Sequence, residues 1–352
     1  MPRIAAVRHA LPEHRYSQEQ IARVAAELFA GESADLERLR QVFANARISQ
    51  RNLVMPLDWY RTPRAVVERN RLYLEQGVEL LARAGKACLD ALPWPRQQVD
   101  QVICVSTTGH ATPSLDARLI NRLGLRRETE RLPIWGLGCA AGAAGLSRAF
   151  DYCHAYPERV VLLAALECCS LTLIQSDLSM KNLVGSALFA DGAAAALVAG
   201  DQVELPGPRL LAHGSYLFPD SYEVMGWKFV EDGMELVLSP QLPELISQEL
   251  PQLARAFLKQ HGCSLADIAH HLAHPGGARV VDAYLEGLGL PESALRLSSQ
   301  VLNQVGNLSS VTILLVLERW LAQEKSARSG KGLISAFGPG FSAELLLMEG
   351  EG

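Results

Sequence analysis

The sequence has no excess of positive charge: 33 Lys and Arg stand against 38 Asp and Glu over 352 residues, a formal net charge of -5. That balance gives no electrostatic case for nucleic acid or an anionic membrane surface as a partner. No apolar run is long enough to span a bilayer, so no membrane span is expected. The N-terminus lacks a basic segment leading into an apolar one, which argues against a secretory signal and for a cytoplasmic protein. Seven cysteines is an odd count, and none has paired C-x-x-C spacing. Neither a disulfide framework nor a metal site is expected; reduced thiols fit best. What remains is ordinary globular composition, 49% hydrophobic and 20% charged, at a length that suggests two domains or two halves.

The chain is organised around Leu132 to Gly145. An apolar run able to form a buried strand ends at Gly138, Cys139 follows, and small residues lead into a helical stretch. A cysteine at a strand-to-helix turn meets unpaired N–H groups and positive partial charge, both of which favour thiolate. The surrounding glycines and alanines let another backbone or a slender substrate approach the sulfur. A small cysteine buried in a close-packed turn is the competing reading.

Arg3 to Val7 reads as a first strand. Gln18 to Phe29, Ser33 to Ala44 and Val66 to Ala91 carry helical periodicity. Val99 to Ser106 and Val160 to Ala165 read as buried strands, and Phe189-Ala190-Asp191-Gly192 turns into another. The second half repeats this plan. Arg209 to His213 echoes the first strand, and Ile268 to His274 echoes Val102 to Ser106. Each of the latter leads through a helix to Leu-Gly-Leu, at 123–125 and 288–290. The spacing agrees: 139 − 104 = 35 and 307 − 272 = 35. Position 139 is therefore matched by Asn307, and Ser106 by His274. With no linker between the halves, one pseudo-symmetric unit is expected.

If the halves pack about a two-fold axis, Cys139, His274 and Asn307 converge at the join. A nucleophile, a base and an amide donor together suit acyl transfer. Singly, His274 could merely end a strand and Asn307 could cap the helix Val311 to Trp320. Their matched repeat positions favour function. His270 and His271 read as ordinary strand residues, since neither adjoins the Pro-Gly-Gly turn.

Gly138-Cys139-Ala140-Ala141-Gly142, Leu272-Ala273-His274-Pro275-Gly276-Gly277, Gly306-Asn307-Leu308-Ser309-Ser310 and Phe337-Gly338-Pro339-Gly340 resemble, in order and spacing, the signatures of type III polyketide synthases. These are the chalcone-synthase-like members of the thiolase superfamily. The resemblance covers essentially the whole chain and implies an α/β fold of duplicated αβαβα layers with two mixed five-stranded sheets. Residues 1–205 would carry the cysteine, and 206–352 the histidine and asparagine. It further implies a homodimer acting on acyl-coenzyme A and malonyl-coenzyme A, with no metal or redox cofactor. Cys139 would take the starter acyl group, held as thiolate by a His274 imidazolium that lowers the thiol pKa. His274 and Asn307 would stabilise the enolate left by malonyl decarboxylation, an oxyanion-hole role worth about 3–4 kcal/mol per donor.

The same resemblance makes Phe189 a gatekeeper between coenzyme A tunnel and cavity, and places Gly338, Pro339 and Gly340 at the substrate cavity. A second gatekeeper, aromatic in the family, is Leu236 here, which would widen or soften the passage. Trp227 occupies a position that is glycine in plant chalcone synthases, and Thr112 one that reaches the partner subunit's cavity. Arg47 and Arg51 are candidates for coenzyme A by position, against a default of solvated surface. Leu236, with the segments Met225 to Trp227 and Ser106 to Ser114, points to a fatty acyl starter, two or three extensions and an alkylpyrone or alkylresorcinol product. The alternatives are an initiation-type ketoacyl synthase using acyl carrier protein, and a non-catalytic paralogue.

Overall fold

The computed structural model describes residues 1–29 and 36–350. Among the described residues, thirteen strands run in chain order. In the first half these are β1 (Arg3–Ala10), β2 (His14–Ser17), β3 (Gln50–Leu53), β4 (Gln101–Val105), β5 (Glu130–Ile134), β6 (Val160–Cys168) and β7 (Asp191–Ala199). The second half has β8 (Arg209–Leu217), β9 (Met225–Val230), β10 (Gly233–Leu238), β11 (Ile268–Ala273), β12 (Lys331–Gly338) and β13 (Ser342–Glu349). The helices are α1 (Gln18–Leu28), α2 (Leu36–Asn45), α3 (Val66–Leu89), α4 (Leu115–Leu123), α5 (Ala141–Ala155), α6 (Met180–Leu188), α7 (Leu242–Gln260), α8 (Ala278–Leu288), α9 (Arg296–Val305) and α10 (Ser310–Leu321). The expected helix from Ser33 is thus seen from Leu36; residues 33–35 lie outside the described residues.

The duplication is visible in strand order. The first half runs β1-β7-β6-β4-β5 and the second β8-β13-β12-β11. In each, a parallel pair (β4 with β6, β11 with β12) is followed by antiparallel neighbours. Both Leu-Gly-Leu segments end a helix on a left-handed glycine, Gly124 at φ 62° and Gly289 at φ 64°, a conformation that glycine adopts without strain.

Two five-stranded sheets are not what forms. Nine strands make one sheet, joined where β1 meets β8 at Arg3 and Arg209. The second half contributes four strands because the counterpart of β5 is helical. The repeat offset is 307 − 139 = 168, which maps Glu130 and Ile134 to 298 and 302, inside α9. There Ser298, Val301, Leu302 and Val305 are buried, a spacing that suits one face of a helix and not a strand.

The layering is as expected for α/β of this kind. Helices α5 and α10 lie together in the middle, packed against strands of both halves. Helices α3 and α4 cover the outer face of the first half, and α7 and α8 that of the second. Strands β6 and β7 are buried throughout, so they are near-continuous apolar runs without polar alternation. The central helices approach closely because Gly142 has no side chain: a Cβ there would stand 2.2 Å from the Ser310 carbonyl oxygen. Gly142→Ala should therefore lower stability by about 1–3 kcal/mol, the usual cost of overpacking. Gly226→Ala, where a Cβ would meet nothing within 4 Å, should stay within about 0.5 kcal/mol. Chemical denaturation midpoints of the two variants test this.

Candidate active site

Cys139 sits on a single helical turn, Gly138–Ala140, that runs into α5, at the helix N-terminus as expected. The turn is held from both halves. Thr107 Oγ1 accepts the Gly138 N–H at 3.2 Å. From the other side, the Gly338-Pro339 turn after Phe337 presses against it. A Cβ on Gly338 would stand 2.5 Å from the Leu137 carbonyl oxygen, and one on Gly138 2.8 Å from Pro339 Cδ. Phe337 and Pro339 line the cavity that holds the sulfur. Gly340 belongs to the turn at φ 141° and does not line that cavity.

His274 follows β11, its N–H bonded to the Ser335 carbonyl at 2.8 Å. The ring is 3% exposed, and neither nitrogen has a hydrogen-bond partner. Asn307 is 2% exposed and is fixed by the first half: its N–H bonds to the Leu188 carbonyl and its carbonyl accepts the Ala190 N–H, both at 2.9 Å. Its side-chain orientation is unambiguous. Oδ1 accepts the Ser309 backbone N–H at 2.7 Å, so the other atom must be the NH2 group. One Nδ2 hydrogen goes to the Gly276 carbonyl at 2.9 Å, which leaves the second for the Cys139 sulfur.

Cys139, His274 and Asn307 line one cavity. Phe189, Trp227 and Leu236 line it too, and they also line an adjoining cavity of about 690 Å³. The second space is walled mainly by apolar side chains of α1 and its surroundings, including Ile21, Val24, Leu28 and Leu53. These three residues thus form a partition. Leu236 and Trp227 are directly paired across the β9–β10 hairpin, and the Trp227 ring lies 6.4 Å from that of Phe189. Leu236 therefore does not simply open the passage: the neighbouring strand supplies an aromatic ring beside it.

Three expectations are altered by burial. Cys139 is pushed up to about 11, first by desolvation and further by the nearby Glu167 carboxylate; hydrogen bonds with Ser309 and Asn307 pull the other way. Burial takes His274 down to about 3. Both shifts favour neutral groups, so the unliganded site does not favour the thiolate–imidazolium pair implied by the resemblance. Helix-terminal partial charge is outweighed here by loss of water. The third case is Arg51, which is 2% exposed and unavailable as a surface contact for coenzyme A. Its guanidinium donates to the Ser186 and Phe189 carbonyls at 2.7 Å and to Gln18 Oε1 at 3.0 Å. Arg47 does lie at the surface, forked onto Asp282 at 2.7 and 2.9 Å.

Thr112 is exposed and does not line the cavity of its own chain. Its loop lies near an exposed aromatic cluster in which His110, Trp135 and Phe229 stand 5.3–6.1 Å apart. His270 meets the Ser329 carbonyl and stays outside the site.

Sequence reasoning missed Glu167. It is fully buried, accepts the Thr107 and Thr108 N–H groups at 3.1 Å and the Ser310 hydroxyl at 2.6 Å, and thereby ties the two halves behind Cys139. Burial raises it to about 6. The available signal was a lone acid inside the apolar run Val160 to Cys168. Cys169, in both cavities, was equally unmarked.

Residues 3–202 match the chalcone and stilbene synthases' N-terminal domain, and residues 210–351 their C-terminal domain. The chain belongs to this family of type III polyketide synthases. It is 39% identical to a putative chalcone synthase of Bacillus subtilis, covering 99% of this chain and 98% of that protein. It is 38% identical to the 1,3,6,8-tetrahydroxynaphthalene synthase of Streptomyces peucetius subsp. caesius, covering 98% and 92%. The crystal structure of the 1,3,6,8-tetrahydroxynaphthalene synthase of Streptomyces coelicolor, described as a bacterial type III polyketide synthase, superposes with a TM-score of 0.93 at 30% identity, covering 99% of both chains. The synthase is accordingly an acyltransferase that uses coenzyme A thioesters. No helix among the described residues is long and apolar enough to cross a membrane.

The state of the thiol can be measured. Alkylation of Cys139 by a small neutral reagent, followed by peptide mass spectrometry, should accelerate about tenfold per pH unit from pH 7 to 10, because the thiolate fraction grows that way below a pKa near 11. A rate already level below pH 7 would establish a preformed ion pair instead.

Proposed function

We propose that this type III polyketide synthase extends a fatty acyl starter on Cys139, with His274 and Asn307 as the groups that handle protons and negative charge. The fixed amide of Asn307 carries the reading: its second N–H, beside the Cys139 sulfur, shares one cavity with the thiol and an unpartnered imidazole. Cys139 Sγ attacks the acyl-coenzyme A carbonyl while neutral His274 takes the thiol proton. Coenzyme A leaves as the thiol with that proton, giving acyl-Cys139. Malonyl-coenzyme A then places its thioester oxygen against Asn307 and His274 and loses CO2, and its enolate carbon attacks the acyl carbonyl. The bond from that carbonyl carbon to sulfur breaks, Cys139 departs as thiolate and takes a proton from solvent to restore the thiol, and the chain on coenzyme A is two carbons longer. Decarboxylation drives this step, so the proposal includes no metal or redox cofactor.

The starter's alkyl tail is assigned to the apolar cavity behind Phe189, Trp227 and Leu236, where each buried methylene contributes about 0.8 kcal/mol. Two or three extensions would then give an alkylpyrone or alkylresorcinol. A relative in Mycobacterium tuberculosis, 28% identical, is named for alpha-pyrone synthesis. Arg47, exposed and paired with Asp282, is assigned to coenzyme A's phosphates by exchange of that pair. The face carrying Thr112, Trp135 and Phe229 is assigned to a homodimer, and residues 1–205 and 206–352 to its two thiolase-like halves. Seven free cysteines suit the cytoplasm.

Cys139→Ala should keep the fold and lose both starter loading and extension. Asn307→Ala should slow malonyl-coenzyme A decarboxylation by about a hundred- to a thousandfold, as for other lost oxyanion donors. Radiolabelled acyl transfer and CO2 release measure the two steps; normal turnover by either folded variant would remove that residue from the chemistry.

Specificity constants for starters from acetyl to palmitoyl should rise with chain length and then level off. A preference for coumaroyl-coenzyme A would overturn the fatty starter. So would efficient tetrahydroxynaphthalene formation from malonyl-coenzyme A alone, the product named for two close relatives.

A further inference from the structure

One wall of the reaction cavity is built by α7 and α8, through Leu242, Ile246, Val280 and Tyr284. The first three offer only hydrocarbon. Tyr284 is 1% exposed, and its ring packs edge-on against Phe337, with centroids 5.8 Å apart at 71°. The Ser335 hydroxyl lies beside the phenol and lowers its pKa as a hydrogen-bonding neighbour does, but the contact does not reach hydrogen-bond geometry and the phenol oxygen has no other partner. Burial raises its pKa, so the group remains a neutral O–H donor at any working pH. A buried hydroxyl without a partner is costly and is rarely left so. His274, a proposed reactive group, is likewise a buried side chain of this cavity without a hydrogen-bond partner.

We infer that the Tyr284 hydroxyl donates a hydrogen bond to a carbonyl oxygen of the bound thioester substrate, making Tyr284 a binding residue of the extension reaction. The inference rests on the cavity of Cys139, His274 and Asn307 being the reaction chamber. Two parts of the substrate carry such oxygens, the amides of the coenzyme A arm and the β-keto groups of the growing chain. Both are neutral acceptors that suit a neutral donor on an otherwise apolar wall. The position is ten residues beyond His274, on the helix that the Pro275-Gly276-Gly277 turn launches, so a substrate held at His274 has this wall beside it.

Tyr284→Phe keeps the ring and removes the hydroxyl. Two quantities are read, with whichever starter the wild-type enzyme accepts: KM for malonyl-coenzyme A, and the ratio of longer to shorter ketide products. One of them should change by about three- to tenfold, the effect of one neutral hydrogen bond. A raised KM at constant ratio assigns the bond to the coenzyme A arm. A lowered ratio at constant KM assigns it to the β-keto chain. The thermal midpoint should hold or rise, since no protein partner is lost. Wild-type KM and ratio together would overturn the inference. So would a lowered midpoint, or the same kinetic change in Ser335→Ala, because either would show that the hydroxyl serves the fold.

Discussion

The structure depends on a reciprocal contact across the join between the halves. The Gly338-Pro339 turn of the second half lies on the Cys139 turn of the first, too close for a Cβ at Gly338. Its mate, the Leu188 to Ala190 segment of the first half, is hydrogen-bonded to Asn307 of the second. Each half thus fixes the other's reactive residue. Backbone atoms and glycines do this work, so the geometry does not rest on flexible side chains. Glu167 adds a third tie, joining the Thr107–Thr108 loop to Ser310 through one buried carboxylate.

The same enclosure sets the electrostatics. Removing water from Cys139 and His274 penalises charge on each, so both rest neutral.

Much of this was legible in the sequence because duplication is a matter of spacing. The 35-residue interval placed Asn307 opposite Cys139 and His274 at the strand end beside them. Helix ends at Gly124 and Gly289 followed from glycine's tolerance of positive φ. The sheet did not follow so readily, because a repeat in spacing need not repeat secondary structure: residues 298–302 keep their place but bury one helical face. Arg51 was misjudged because an arginine in a polar stretch looks solvated until α6 closes over it. Thiol ionisation is open to the same effect. Local charge can be guessed from neighbours in sequence, whereas desolvation is set by the whole packed surround. Trp227 and Leu236 were each noted, but only strand pairing shows that they act as one partition.

That partition has a separable support. Strands β9 and β10 pair with each other in a two-stranded sheet and add no rung to the nine-stranded sheet, whose strand β11 leads into His274. A substitution on the hairpin reshapes the wall between the cavities while the ladder beneath His274 and the turn holding Cys139 keep their hydrogen bonds. Two of the three residues of the partition thus stand on a piece of backbone separate from those that hold Cys139, His274 and Asn307.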